Sequence, residues 1–350
     1  MKALVYKEKG CLEFCERPVP KIQDGKDAIV KVTLSSICTS DLHIKEGFVT
    51  KAREGIILGH EFVGEIVEVG ADVKTLSVGD RVCATCETFC GECYFCKRGF
   101  INNCEKGGWE LGCKIDGCQA EYIRVPYAEN GLTKLPDNVS DKNALFVGDI
   151  LSSGYFGAEM CEIKGGETIA VIGSGSVGLC AMICARILGA AKIIAIDIDE
   201  ERLKLAHDKG HADFVFNPKA CDIVEEVKNL TQGRGADGVI ECAGTEESFQ
   251  MSWQIARANA VVGVVAMYEK AQTIPLPDMY GKNLIFKTGG VDAVHCQKLV
   301  DLISQGKIST DFLITHTFKL DDILDAYELF EKKCETCLKI AIKCPNKNSR

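Results

Sequence analysis

Apolar residues follow two rhythms along this chain, and the change of rhythm near residue 150 divides it. Before that point apolar and polar positions alternate in short stretches, at residues 28–34, 61–69, 81–84 and 120–125, separated by glycine and proline turns. Alternation of this kind suits half-buried strands, so an irregular antiparallel barrel is expected. Beyond it the apolar residues run together. Thr168–Ile172 is β-branched at most positions, which suits a strand buried on both faces of a parallel sheet. Val177, Leu179, Met182, Ile183, Ala185, Ile187 and Leu188 continue as a helix to Gly189, a C-terminal stop, and residues 192–197 read as the next strand. Strands at 213–216, 239–242, 260–267 and 283–287, with helices at 222–230 and 246–258, extend the alternation of a doubly wound α/β fold. The tail predicts an amphipathic helix through Val294, Leu299, Val300, Leu302 and Ile303, a second helix at 321–330 and a closing strand at 337–343.

With 350 residues, 46% of them hydrophobic and 26% charged, the chain is long enough for two domains with separate cores. Its net charge of −9, with no basic stripe, offers no general attraction to nucleic acid or to an anionic membrane. The N-terminus alternates like a strand and lacks the apolar core of a signal peptide, and no run of about 18 apolar residues occurs. A cytoplasmic enzyme is therefore expected. The 20 cysteines are scattered through apolar segments such as Ile183-Cys184-Ala185, which predicts reduced thiols rather than a disulfide framework.

Between the first long apolar strand and its helix stands Gly173-Ser174-Gly175-Ser176-Val177-Gly178. Gly173 permits a tight turn, Gly175 lets the backbone approach a pyrophosphate, and Gly178 lets the helix lie close to its strand; the helix N-terminus at Ser176 and Val177 offers N–H groups to the anion. An acidic residue, Asp197, ends the next strand about 20 residues further on, as a dinucleotide site requires. Its carboxylate suits the ribose hydroxyls of NAD and repels the 2′-phosphate of NADP, whereas Arg202 either attracts a phosphate or lines the adenosine ribose. NAD is the expected cofactor. Cys242-Ala243-Gly244 and Thr288-Gly289-Gly290 close two strands at their carboxyl ends, so Cys242 and Gly289 either face the cofactor or belong to close-packed turns.

Two groups of metal-ligand residues lie earlier. Cys90, Cys93 and Cys96, with Cys104 after seven more residues, place four thiols that close a tetrahedron round Zn²⁺ and leave no open position, a structural site. Unliganded thiols or a redox pair are the alternative. Cys38 and His60 supply a thiolate and an imidazole, two of the three protein ligands of a catalytic zinc, although spacing alone does not pair them.

Cys38-x-Ser40-Asp41, Gly59-His60-Glu61, Val78-Gly79-Asp80-Arg81-Val82, the four-cysteine lobe and the glycine turn occur in the order seen in zinc-dependent medium-chain alcohol dehydrogenases, which the chain resembles over essentially its whole length. The resemblance implies a GroES-like antiparallel barrel catalytic domain, residues 1–152 plus 291–350, with an inserted Rossmann domain at residues 153–290. It implies Asp149, in Val147-Gly148-Asp149-Ile150-Leu151, as the third ligand of a catalytic zinc, and Glu61 as an occasional ligand or a supporting carboxylate. Ser40 and His43 match the hydroxyl and imidazole steps of a proton relay, and Trp109, Cys113 and Leu151 fall near the substrate. Two Zn²⁺ per chain, NAD, a small alcohol or ketone and a homodimer or homotetramer follow as expectations. The Cys-His-Asp set is similar to that of bacterial secondary-alcohol dehydrogenases and of formaldehyde dehydrogenases, so oxidation of a secondary alcohol is expected, with polyols, small aldehydes and hydroxysteroids left open.

Overall fold

The computed structural model describes residues 1–332 and 337–345, so the tail expected in the domain at 291–350 is described only in part. The described residues form two compact units, one built from Met1–Ser152 with the chain from Asp292 onward, the other from Ser153–Val291.

In the second unit six strands lie parallel in the order Phe214–Phe216, Lys192–Ile196, Thr168–Ile172, Ala236–Glu241, Ala256–Val264 and Ile285–Thr288. Numbered along the chain this is 3-2-1-4-5-6, the doubly wound order. The connections change direction beside Thr168–Ile172, which is buried at every position, so the ligand crevice opens at its carboxyl end, next to Ala236–Glu241. The helix Ser176–Leu188 ends on Gly189, whose φ of 108° is left-handed and suited to glycine. Asp199, Asp222 and Thr245 cap the helices Glu200–Asp208, Ile223–Leu230 and Glu246–Ile255 by accepting backbone N–H bonds.

One boundary departs from expectation. The helix expected over 246–258 stops at Ile255, because Ala256 joins the sheet opposite Ala236 and that pairing overrides the helical continuation.

In the first unit Cys11–Glu16, Lys2–Glu8 and Ile56–Ile57 form a three-stranded antiparallel sheet. A larger sheet runs Ile314–Lys319, Lys339–Lys343, Ala28–Ile37, Phe62–Val69, Arg81–Ala84, Leu132–Lys134, with Tyr122–Val125 also paired to Ala28–Ile37. It is antiparallel except at one end, where Ile314–Lys319 and Lys339–Lys343 run parallel. The helix Ile323–Glu331 stands between those two strands in the chain, and such a crossover is what parallel pairing needs. Leu320, Ile323, Ile340 and Ile342 from the tail share one core with Leu4, Val30, Val32 and Phe62. Val294, expected on the apolar face of the tail helix, is instead exposed, since that helix covers only Cys296–Ser304 and buries Leu299, Val300 and Ile303.

Candidate active site

Three elements of the first unit bring Cys38, His60 and Asp149 together. Cys38 follows the strand Ala28–Ile37 and stands at the start of the short helix Thr39–Lys45, with its N–H donated to Asp41 Oδ2 at 2.9 Å. His60 directly precedes the strand Phe62–Val69 by two residues. Asp149 sits on a π-helical turn, Val147–Leu151, closed by a bond from Leu151 N–H to Phe146 O of 2.9 Å. Gly148 lets that turn lie against Arg81–Ala84: a Cβ there would fall 1.6 Å from the Ala84 carbonyl oxygen. Cys86 then donates its N–H to Gly148 O at 3.0 Å and fixes the contact.

The outcome is a compact donor set. His60 Nε2 is 3.2 Å and Cys38 Sγ 3.5 Å from the same Asp149 oxygen, and all three ligand atoms lie within 4.8 Å of one another. Burial pushes the Cys38 thiol up. Burial also opposes charge on Asp149, but the His60 hydrogen bond and charge outweigh it and hold that carboxyl below the usual range. His60 is likewise raised, against burial, by its bonds to Asp149 and Cys38. One thiolate, one imidazole and one carboxylate converging round the buried His60, with Cys38 and Asp149 half-buried, fit Zn²⁺, whose charge stabilises both anions, and three protein donors leave a tetrahedral position open.

The four-cysteine lobe forms a second, closed set, with the four Sγ atoms within 4.8 Å of one another. Backbone N–H groups point at its sulfurs: Cys90 N to Cys104 Sγ at 3.3 Å, Lys106 N to Cys104 Sγ at 3.4 Å and Cys96 N to Cys93 Sγ at 3.5 Å. Hydrogen bonding from the Cys96 and Glu105 amides pulls Cys93 down to about 6, whereas burial pushes Cys96 up to about 12 and raises Cys104. The lobe fits a structural Zn²⁺.

At the switch point of the second unit, Gly173 turns with φ 92°, and a Cβ at Gly178 would lie 1.7 Å from Gly173 O. Ser174 N–H donates to Asp197 Oδ2 at 2.5 Å, and Asp199 N–H to Asp197 Oδ1 at 3.0 Å, so Asp197 is locked against the glycine turn. Arg202 pairs with Asp199 at 3.5 Å and places a guanidinium nitrogen near Gly175. Cys242 donates its N–H to Ile172 O at 2.8 Å, which sets it beside the turn. Gly289 follows the outermost strand, Ile285–Thr288, and two strands separate it from Thr168–Ile172.

Comparison with known proteins is consistent from end to end. Residues 24–137 match the family pattern described as alcohol dehydrogenase GroES-like domain, and residues 176–304 match zinc-binding dehydrogenase. An alcohol dehydrogenase of Cupriavidus necator is 37% identical, with 98% of each chain covered. The chain belongs to the zinc-binding alcohol dehydrogenase family. The solved zinc-dependent alcohol dehydrogenase 2 of Streptococcus pneumonia superposes with a TM-score of 0.93 at 36% identity over 100% of both chains. An NADP-dependent isopropanol dehydrogenase of Entamoeba histolytica is 32% identical, covering 98% of this chain and 96% of its own. As a member of this family the protein is an oxidoreductase that uses zinc and a nicotinamide cofactor on a small-molecule substrate. Among the described residues no helix is long and apolar enough to cross a membrane.

Among the residues that shape this alcohol dehydrogenase site, Gln119, Tyr327 and Lys339 carry no signal of their own in the sequence. Asp41, fully buried, faces His60 Nδ1 at 3.5 Å and is itself held by Gln119 Nε2 at 3.1 Å, and Gln119 Oε1 accepts from Tyr327 OH at 2.8 Å. A carboxylate behind a metal-binding imidazole sets its orientation and raises its basicity. Glu61, read as a candidate ligand, does not join the three-donor set; its Oε2 is bonded by Ser36 and by the buried Lys339. Burial raises Glu61 to about 7 while Lys339 opposes the shift. Ser40 Oγ lies 3.3 Å from His60 Nε2, and His43, three residues on, packs its ring against Phe48 at 6.0 Å. Trp109 stands edge-on to His60 with ring centroids 5.9 Å apart.

Proposed function

We propose that this chain is an NAD-dependent dehydrogenase that reversibly oxidises a secondary alcohol to a ketone, with two Zn²⁺ per chain, one at Cys38, His60 and Asp149 and one at Cys90, Cys93, Cys96 and Cys104. The observation that carries the reading is the partly buried three-donor set with one tetrahedral position to spare. Bound there, Zn²⁺ supplies a Lewis acid that lowers the pKa of an alcohol. A bound nicotinamide would supply the acceptor for hydride from the carbinol carbon, and the hydroxyl proton would have to leave. Ser40 Oγ is the first step of its path, and His43, on the same face of the helix Thr39–Lys45, is the second. Asp41 stands 3.5 Å behind His60 Nδ1 and favours charge on that imidazole. The glycine turn and the N-terminus of Ser176–Leu188 bind the pyrophosphate, and Asp197 binds the adenosine ribose.

The isopropanol dehydrogenase among the relatives favours a secondary alcohol but takes NADP. Asp197 argues for NAD here, because a 2′-phosphate would meet its carboxylate while Arg202 is already engaged by Asp199. Rates over a panel of alcohols, with NAD and NADP in parallel, test the proposal. NAD is expected to give the higher kcat/KM, and Asp197→Gly to shrink that preference by roughly ten- to a hundredfold, the scale of one or two charge-assisted contacts. A higher kcat/KM with NADP in the unmodified protein would overturn the cofactor assignment.

Removing the imidazole of His43 is expected to slow alcohol oxidation by roughly ten- to a thousandfold, since positioned acid–base groups supply about 10²–10⁴ and water substitutes in part. Zinc content should stay the same. An unchanged rate in His43→Ala would remove the residue from the relay.

A further inference from the structure

Two buried glutamates show what a satisfied carboxylate looks like in this protein and what an unsatisfied one looks like. Glu241 is fully buried, yet its Oε1 accepts from Ala243 N at 2.8 Å and Gly244 N at 2.9 Å, and its Oε2 from Tyr268 OH at 2.6 Å. Glu87 is 2% exposed; the Cys86 side chain hydrogen-bonds its carboxyl, but its Oε2 has no hydrogen-bond partner among the described residues. The charged groups it feels, Asp149 and Asp292, are acidic too. Burial pushes it up to about 8. An unpaired buried oxygen of this kind is costly, so its retention calls for a partner that arrives with a ligand.

Its position says which ligand. Glu87 follows Cys86, whose N–H is bonded to the carbonyl of Gly148, the residue before Asp149. The free oxygen therefore belongs to the segment that backs the metal-binding turn. A second unused group flanks the same donor set, for Trp109 Nε1 is also buried without a partner among the described residues, and its ring packs on His60. A simple secondary alcohol has one hydroxyl, which the reacting centre uses, and it would leave both groups unpaired. A substrate with another hydroxyl beside the reacting carbon would not.

We propose that Glu87 is a specificity-determining residue whose free Oε2 accepts a hydrogen bond from a second hydroxyl on the substrate, so that vicinal diols are preferred and α-hydroxy ketones are the products. The inference rests on the dehydrogenase function proposed above and narrows its substrate. Its chemistry is the same: the C–H bond at one carbinol carbon breaks, hydride reduces the nicotinamide, the proton of that hydroxyl is released and a C=O bond forms. The second hydroxyl is unchanged and serves only for recognition.

The test compares butane-2,3-diol, as a mixture of its stereoisomers, with butan-2-ol on the zinc-loaded protein, because the two differ by a single hydroxyl. A site built to bond a substrate hydroxyl rejects the analogue lacking it, so kcat/KM for the diol should exceed that for the monohydric alcohol by about a hundredfold or more. Glu87→Leu should shrink this ratio at least tenfold, on the order of one buried hydrogen bond, and Glu87→Gln, which keeps a carbonyl oxygen, should shrink it less. A purely structural role would lower both rates together and leave the ratio alone. A ratio near one in the unmodified protein, which requires no variant to fold, or an unchanged ratio in Glu87→Leu, would overturn the inference while leaving the dehydrogenase function intact. Turnover of neither alcohol with either cofactor would reject that function, and this inference with it.

Discussion

Replacing His60 by alanine is expected to take zinc content from two ions per chain to one and to lower alcohol oxidation by roughly a thousandfold or more, the consequence of losing several kcal/mol of charge stabilisation. The reason lies in the donor set. His60 Nε2 and Cys38 Sγ share one Asp149 oxygen at 3.2 and 3.5 Å, so two remaining donors cannot enclose the ion. The four-cysteine lobe is remote in sequence and closed on itself, and it should keep its zinc. Circular dichroism should change little, whereas Cys96→Ser, which opens the lobe, should lower the unfolding temperature. Metal analysis by mass spectrometry, run beside the rate measurement, checks the first expectation, and a variant that retains two ions with normal turnover would remove His60 from the site.

The second large effect is on stability. Lys339 and Glu61 have side chains 2% and 0% exposed and pair at 2.5 Å, and Lys339 Nζ also lies 5.4 Å from the centre of the Phe146 ring. Lys339→Met keeps the aliphatic stem but leaves Glu61 with only Ser36, and breaking one side of a buried pair typically costs about 3–5 kcal/mol. The urea midpoint should fall accordingly. The double variant Lys339→Met, Glu61→Gln should recover part of the loss, because no buried charge then remains alone. Equal midpoints for Lys339→Met and the unmodified protein would show that the pair is dispensable for folding.

Local chemistry was legible in the sequence wherever one segment contained the whole device. Arg81–Ala84, apolar after its first residue and bounded by a glycine turn, forms a strand with the expected limits; Gly173 to Gly178 holds its turn, its close approach and its helix start within six residues; and the lobe thiols converge because only the short stretch from Cys90 to Cys104 has to fold on itself. The three-donor set was legible only through family resemblance, since Asp149 lies 89 residues from His60 and 111 from Cys38, and no periodicity links them. Lys339 was invisible: 278 residues separate it from Glu61, and a lysine in a strand near the end of the chain reads as a solvated one until the tail joins the same core. Glu87 was missed for a related reason, because a glutamate two residues after a threonine in a loop shows nothing in the sequence of the burial that leaves it 2% exposed. The tail misled in the other direction, where the apolar rhythm extended the helix Cys296–Ser304 back to an exposed Val294.

The central claim is that Cys38, His60 and Asp149 hold a zinc ion on which alcohol oxidation depends. Its most direct test follows the initial rate of NAD reduction by a secondary alcohol in the fully loaded protein, after a chelator has removed the more labile zinc, and after zinc is returned. The account predicts that the rate disappears with the first ion lost per chain while circular dichroism still shows the folded protein, and that one equivalent of zinc restores it. A rate that survives removal of that ion would contradict the account.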